Sequence, residues 1–486
     1  MKKAELVFVP LPFVGHMVSI LEFAKLLVDR DDRISITVLI MKLPVLLEHS
    51  VVNNHIHLLS ASVSGRIRFV YLPQLDPQLA STSPSNSKAL SPTHVICSFI
   101  DDQKPLVRDA VKQLTQSASI RLAGFVFDML CTSMVDVADE LGVPSYVFFT
   151  ASAAFLGLML HLQALHDNQG VDVTELVDSD AELVVPSFVN SVPGRVLPSV
   201  VGDKEGGGST AFLRCVRGFK GMKGILVNTF MELESHAINS FVDGTSPPIY
   251  PVGPMLNLKH REHLNHDNTS KDIMNWLDDQ PPSSVVFLCF GSNGFFPLDQ
   301  VKEIAQGLEC SRHRFLWSLR QPPPKGEIAM PSDYVDFEEA LPQGFLDRTI
   351  GIGKVIGWAP QLDVLAHPSI GGFVSHCGWN SILESLWYGV PIATWPLYSE
   401  QQLNAFHMVK ELGLAIEIKL DYKTGDGHLV SAKEIEKGIR SLMKNDSEVR
   451  RRANEMKEKS TNALIDGGSS HTCLGHLIED MITNIA

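Results

Sequence analysis

Residues 358–401 read WAPQLDVLAHPSIGGFVSHCGWNSILESLWYGVPIATWPLYSEQ, and the order of residue types in this stretch decides the fold. Lys354–Trp358 predicts a short apolar strand, Gln361–Ala366 a helical turn, and Gly371–Ser375 a second strand. His376-Cys377-Gly378-Trp379-Asn380-Ser381 is a polar turn containing glycine, after which Ile382–Tyr388 continues as a helix. Val390–Trp395 predicts a third strand, broken at Pro396 because proline has no ladder donor.

The turn after GGFVS carries the chemistry. A strand that ends in small residues and opens a helix leaves backbone N–H groups and the positive helix end facing outward, which suits a phosphate. His376, Asn380 and Ser381 add side-chain donors at the same helix mouth, with Ser381 also readable as a plain N-cap. Glu384 lies about one turn further in, where a carboxylate accepts from vicinal ribose hydroxyls. Trp358 offers a face for a planar base. Glu400-Gln401 offers acceptors and an amide for sugar hydroxyls, so diphosphate, ribose, base and sugar each have a candidate partner.

This stretch resembles the 44-residue signature of plant UDP-sugar-dependent glycosyltransferases of secondary metabolism. HCGWNS, Glu384 and the GVP at 389–391 fall where that family has them. The resemblance implies the GT-B fold: α/β, two Rossmann-like doubly wound parallel-sheet domains facing a cleft. Carried over residue by residue, it implies that Trp358 stacks on uracil, with Ala359 offering backbone groups to its edge. Gln361 and Glu384 then hold the ribose. Ser292, His376, Asn380 and Ser381 meet the phosphates, and Trp379, Glu400 and Gln401 the hexose, with Trp379 also readable as core packing. Gly378 and Tyr398 belong to the same donor-binding set. The final Gln401 resembles glucose-using members, which implies UDP-glucose as donor.

Outward from this stretch, the chain repeats strand and helix. Glu5–Val9 predicts a buried strand leading through PLPFVGH into the helical pattern Met17–Asp29, and Ile34–Ile40 the next strand. Ile67–Tyr71, a helix near Val95–Ala118, Leu122–Phe127, a helix near Ser133–Leu141, Ser145–Phe149 and a last strand at Gly224–Phe230 complete one doubly wound domain. Pro247–Asn268 reads as a linker. A second series runs through Ser284–Phe290, Phe315–Leu319, Lys354–Trp358, Gly372–Ser375 and Ile392–Thr394, and Val430–Ile485 is mostly helical. The expected division is 1–245 for an acceptor-binding domain, 246–270 for the linker and 271–460 for a UDP-sugar-binding domain. The resemblance implies that residues 461–486 form a helix packing back on the first domain. The irregular loops Gln78–Ser91 and Leu183–Gly208 read equally as acceptor-pocket walls or ordinary surface.

His16 lies in the loop after the first strand, at the mouth of the first helix, where a cationic ring is disfavoured and the imidazole can accept a proton. Asp128 lies just past another strand of the same sheet. Parallel strand ends meet on one edge, so Asp128 can hydrogen-bond the distal ring nitrogen and fix its tautomer. The stretches P-x-x-G-H at 12–16 and FVFDMLCTS around Asp128 resemble the base and orienting acid of the same family. The mechanism this implies is a direct displacement with inversion, with no cofactor and no metal. Three features depart from the family pattern: Asn293 and Phe295 in FGSNGFF, Phe13 beside His16, and Ser399 before Glu400.

Composition narrows the remaining choices. With 41 basic against 55 acidic residues the net charge is −14, and apart from Arg450-Arg451-Arg452 no basic block offers a nucleic-acid surface. Seven scattered cysteines without CxxC spacing fit buried thiols in a reducing compartment. The apolar start is interrupted by Pro10 and Pro12, and Gly142–Leu162 parses as a buried strand and core helix instead of a membrane span. A cytoplasmic monomer taking a UDP-sugar donor and a lipophilic small-molecule acceptor is the expectation. Gly351–Gly357 carries G-x-G-x-x-x-G, but its glycines enter a strand instead of ending one, against a dinucleotide cradle. No G-x-S-x-G is present at Ser292, and the adjacent His376-Cys377 with His367 is awkward for one tetrahedral metal. The alternative is a non-catalytic UDP-sugar-binding protein, which needs neither His16 nor Asp128. Flavonoids, other phenolics and terpenoids are the acceptors the resemblance implies; Phe13, Phe125, Phe148 and Phe149 read equally as acceptor-wall residues or as core.

Overall fold

The computed structural model describes residues 3–42, 65–74, 90–116, 120–241, 244, 246–258, 268–324 and 330–483. The chain forms two compact units. The first comprises Met1–Gly194, Ser199–Asn257 and Asn462–Ala486, and the second Arg195–Pro198 and Leu258–Thr461.

In the first unit, apolar and β-branched runs make seven parallel strands: β1 (Ala4–Val9), β2 (Ile34–Ile40), β3 (Ile67–Tyr71), β4 (Arg121–Asp128), β5 (Ser145–Phe149), β6 (Gly224–Val227) and β7 (Ile249–Pro251). Their order is β3-β2-β1-β4-β5-β6-β7, so the winding reverses between β1 and β4. At such a reversal the loops leaving the two strands diverge, and a crevice opens beyond their carboxyl ends. The helix Val14–Arg30 lays Ile20, Phe23, Ala24 and Leu27 against Leu6 and Phe8, and the Phe23 ring stacks on Phe148 at 5.2 Å. The final helix, Ser469–Thr483, contributes Leu474, Leu477, Ile478 and Met481 to this same core. Its polar side is tied down too: the Tyr250 hydroxyl donates to Asp480 (2.6 Å), and the Ser470 hydroxyl to the Gly253 carbonyl (2.6 Å).

The second unit repeats the plan with β8 (Val285–Cys289), β9 (Arg314–Ser318), β10 (Gly353–Ile356), β11 (Ile370–Ser375), β12 (Ile392–Thr394) and β13 (Ala415–Glu417). All are parallel, in the order β10-β9-β8-β11-β12-β13, and here the reversal lies between β8 and β11. The helix Ala432–Leu442, opened by a Ser431–Glu434 capping box, packs Ile435, Ile439 and Leu442 on Leu288, Trp317 and Val374.

Three expectations need correction. The stretch read as the start of a linker holds β7, the edge strand beside β6, so Gly224–Phe230 is not the last strand of its sheet. Its short length and Pro251 had disguised it. The helix expected from Ile382 begins at Trp379, so Asn380 and Ser381 stand in its first turn. Phe125, Phe148 and Phe149 are fully buried in the sheet and line no pocket wall. The loop expected over Gln78–Ser91 falls mostly on residues 75–89, and the polar part of the expected linker on 259–267; both lie outside the described residues. Among the described residues no helix is long and apolar enough to cross a membrane.

Candidate functional site

The reversal in the first sheet gathers one cluster. β1 ends at Val9, and Pro10 and Pro12 stop the strand. Phe13, in extended conformation, caps the Val14–Arg30 helix. His16 is therefore the third residue of the helix. β4 pairs with β1 through Val9 and Phe127, which carries Asp128 to the same edge. His16 Nδ1 lies 2.8 Å from Asp128 Oδ2, with the histidine side chain 26% exposed and the aspartate fully buried. The other carboxylate oxygen accepts the Leu130 N–H at 3.0 Å. An ionised carboxylate only accepts, so the ring proton sits on Nδ1 and the lone pair on Nε2.

Sequence reasoning missed Thr150. Its hydroxyl oxygen lies 3.4 Å from His16 Nδ1, at the end of β5, the strand next to β4. Strand adjacency is the signal that would have found it. Phe13 meets the His16 ring edge-on at 6.5 Å. Another unforeseen residue, Glu234, is buried and accepts the N–H groups of Ala153 and Ala154, each at 2.9 Å. It thereby anchors the start of the helix that follows Thr150. Burial raises its carboxyl to about 6.

The reversal in the second sheet gathers the other cluster, from the turn after β8 and the turn after β11. Ser292 is exposed in the first of these. In the second, Cys377 adopts a positive φ of 62°, an uncommon conformation for a residue with a side chain. Ser375 Oγ accepts its N–H (3.1 Å), and Asn404 donates to its carbonyl (3.0 Å). Gly378 is the N-cap of the Trp379–Tyr388 helix and supplies no side-chain cap; the positive end of such a helix suits an anion.

His376 is buried, and burial lowers its ring to about 4, so the imidazole is neutral at pH 7. Its Nδ1 has no hydrogen-bond partner among the described residues. Its Nε2 is wedged between two glycines: a Cβ on Gly291 would fall 2.7 Å from it, and one on Gly378 2.5 Å. Gly291 also has φ +76°. A buried nitrogen without a partner is costly, and it is Nε2, not Nδ1, that faces Gly378 at the helix mouth.

Around the turn, Gln361 donates to Ser381 Oγ (2.8 Å) and to Glu384 Oε2 (2.6 Å), which joins three expected residues into one network. Burial raises the Glu384 carboxyl to about 7. Trp358, two residues beyond β10, is 45% exposed, as a stacking face must be before its ligand arrives. Ala359 beside it is buried, as is Trp379. Ser381 is no N-cap, since the cap falls at Gly378.

Gln401 is committed differently from the expectation. Its Oε1 accepts the N–H groups of Leu397 (2.9 Å) and Tyr398 (3.1 Å), closing the turn in which Ser399 has φ 63°. Its carbonyl therefore holds the turn, and its side chain also hydrogen-bonds the Tyr398 hydroxyl, so the amide NH2 is the group that can still face a sugar. Burial pushes the Tyr398 hydroxyl up to about 12, so it is a neutral donor. Glu400 caps the Gln401–Phe406 helix with its backbone. Among the described residues no group of three or more His, Cys, Asp or Glu is arranged to hold a metal.

Comparison with known proteins gives one consistent answer. The family model described as "UDP-glucoronosyl and UDP-glucosyl transferase" matches residues 227–450. The chain is 55% identical to UDP-glucose flavonoid 3-O-glucosyltransferase 6 of Fragaria ananassa, over 100% of both proteins. Among solved structures, a UGT transferase from Siraitia grosvenorii in complex with UDP has 47% identity and a TM-score of 0.86, covering 99% of this chain and 100% of that one. Medicago truncatula UGT71G1 complexed with UDP-glucose has 42% identity and a TM-score of 0.85, with 99% and 98% covered.

Proposed function

The chain belongs to the UDP-glycosyltransferase family and has its GT-B fold, and from that premise we propose that it transfers glucose from UDP-glucose to a hydroxyl of a small lipophilic acceptor. Flavonoids come first in the acceptor class, with other phenolics and terpenoids beside them. The named activity of the Fragaria ananassa relative supports both the donor and the flavonoid.

The observation that carries this reading is the 2.8 Å contact between His16 and Asp128. A protein that only binds a nucleotide sugar has no use for an oriented base. In the proposed step, His16 Nε2 takes the proton of the acceptor hydroxyl as its oxygen attacks the anomeric carbon. The bond to the UDP oxygen breaks on the opposite face, and the configuration inverts. Asp128, acceptor to Nδ1–H, stabilises the imidazolium that forms.

On the donor side, Trp358 stacks on uracil, Ala359 meets its edge, and Gln361 with Glu384 holds the ribose. Ser292, His376, Gly378, Asn380, Ser381 and the helix mouth receive the diphosphate. Trp379, Tyr398, Glu400 and the Gln401 amide hold the hexose. We propose that these N–H and O–H donors serve without a metal ion. The test is UDP release by purified protein with UDP-glucose, UDP-galactose and UDP-glucuronate against phenolic and terpenoid alcohols. Acceptor-dependent release with one added hexose in the product is expected with UDP-glucose. Nucleotide binding without release across the panel would favour the binding-only alternative.

A further inference from the structure

Seven thiols are present, and two of them are neighbours in space. Cys97, on the helix Pro92–Thr115, and Cys215, on the helix Gly208–Phe219, hold their sulfurs 3.5 Å apart. Both are buried, in a small cluster of their own with Ala211 and Leu130. Their surroundings differ. Arg214, ion-paired to Asp101 at 2.8 Å and about half exposed, faces Cys97. The hydrogen bond from Cys215 and then the Arg214 charge lower the Cys97 thiol, while the Cys215 thiol is pushed up by Cys97 and by burial. The two sulfurs are thus unequal in surroundings, with the Arg214 cation beside Cys97.

The pair is also attached to the proposed base. Cys215 accepts the Thr132 hydroxyl on its carbonyl at 2.9 Å, and its Sγ lies 3.9 Å from the Leu130 carbonyl. Leu130 donates to Asp128 Oδ1, and the Cys131 N–H to the Asp128 carbonyl at 2.8 Å. The turn that holds the Asp128 carboxylate therefore leans on Cys215.

We propose that Cys97 and Cys215 are an oxidation site that closes to a reversible intramolecular disulfide under hydrogen peroxide and displaces the turn at Asp128. Cys97 sulfur attacks the peroxide, the O–O bond breaks, and water leaves with a proton, giving a sulfenic acid. Cys215 sulfur then attacks that sulfur, the S–O bond breaks, and a second water leaves with the Cys215 proton. Two thiols are oxidised by two electrons and one peroxide is reduced to two waters. The sulfurs must approach by about 1.5 Å to reach a disulfide bond length of about 2.05 Å. That movement removes the Cys215 thiol from the Leu130 carbonyl.

The experiment uses the full chain, reduced and then exposed to hydrogen peroxide. Expected are a loss of two hydrogens in the intact mass, a Cys97–Cys215 cross-linked peptide, and faster amide exchange in the peptide spanning Asp128–Met134. All three should be reversed by dithiothreitol and absent in Cys97→Ser and Cys215→Ser. Oxygen adducts without the cross-link, a cross-link between other cysteines, or a cross-link that leaves exchange at 128–134 unchanged would each overturn the proposal. The map and the exchange are read on the wild-type protein and need no activity. A protein that cross-links as expected but releases no UDP when reduced would instead count against the glucosyltransferase reading. Where that reading holds, cross-linking should lower turnover about tenfold or more, since small displacements of an oriented base are expensive.

Discussion

A Cβ at Gly378 would stand 2.5 Å from His376 Nε2, so the lack of a side chain at one residue sets the position of the ring two residues earlier. Gly378 has φ −62°, which any residue adopts, and the requirement for glycine here is one of space alone. Gly378→Ala should therefore fold normally but push the imidazole off its position. UDP affinity should fall about tenfold, with Tm within about 2 °C of wild type; calorimetric titration with UDP and a thermal melt measure the two. Unchanged affinity would remove His376 from the phosphate site.

His16→Ala should abolish acceptor-dependent UDP release while leaving UDP binding nearly intact. Asp128→Asn keeps the size of the side chain but loses its charge, and kcat should fall by roughly 10²–10⁴ with the donor KM within about twofold. A change in KM alone would assign the pair to binding.

Gln401 separates two functions in one side chain. Gln401→Glu retains an oxygen to accept the Leu397 and Tyr398 N–H groups but replaces the amide donor. Glucosyl transfer should drop about tenfold or more, the worth of a hydrogen bond to a polar substrate group, with UDP affinity little changed. Gln401→Ala should in addition lower Tm, because it leaves a buried and a part-buried N–H group without their acceptor. Equal losses of UDP affinity and transfer in the Glu variant would show that the residue does not hold the sugar.

Glu384 makes the ligand-free protein sensitive to pH. Its carboxyl, raised from 4.5 to about 7 by burial, is more easily protonated folded than unfolded. The associated stability is complete below about 4.5 and is lost as the pH rises through about 7. The shift corresponds to at most about 3 kcal/mol. Between pH 5 and pH 8 the wild type should lose more Tm than Glu384→Gln, measured by scanning fluorimetry. Saturating UDP should narrow that difference, since ribose hydroxyls would donate to the carboxylate.

The phosphate receptors proposed here are neutral side-chain donors and a helix end. Turnover should accordingly be unchanged within about twofold after exhaustive chelation with EDTA. A loss restored by a divalent cation would require a carboxylate ligand, which the proposed phosphate receptors do not include.

Much of this was legible before folding because it is local. Strand, turn and helix around His376 follow from residue order, and so do the apolar runs that make both sheets. The His16–Asp128 contact was legible for a topological reason: two parallel strands of one sheet end on the same edge. What escaped depended on distant partners. Thr150 needed the order of strands in the sheet, Glu234 reaches the start of the following helix only through packing, and Ile249–Pro251 is a three-residue edge strand ending in proline. The commitment of the Gln401 carbonyl to its own turn is a side-chain choice that no pattern of residue types announces. The Asn404 support of Cys377 is of the same kind.

The final helix, Ser469–Thr483, completes the core begun by Leu6 and Phe8, although the whole second unit is encoded in between. During synthesis the ribosome must make roughly 220 further residues after β7 before that helix emerges, a delay of about 10–45 s at ordinary elongation rates. For that interval the nascent first sheet exposes the apolar surface that Leu474, Leu477, Ile478 and Met481 later cover. Until Ser469–Thr483 has been translated, that surface has no cover from its own chain.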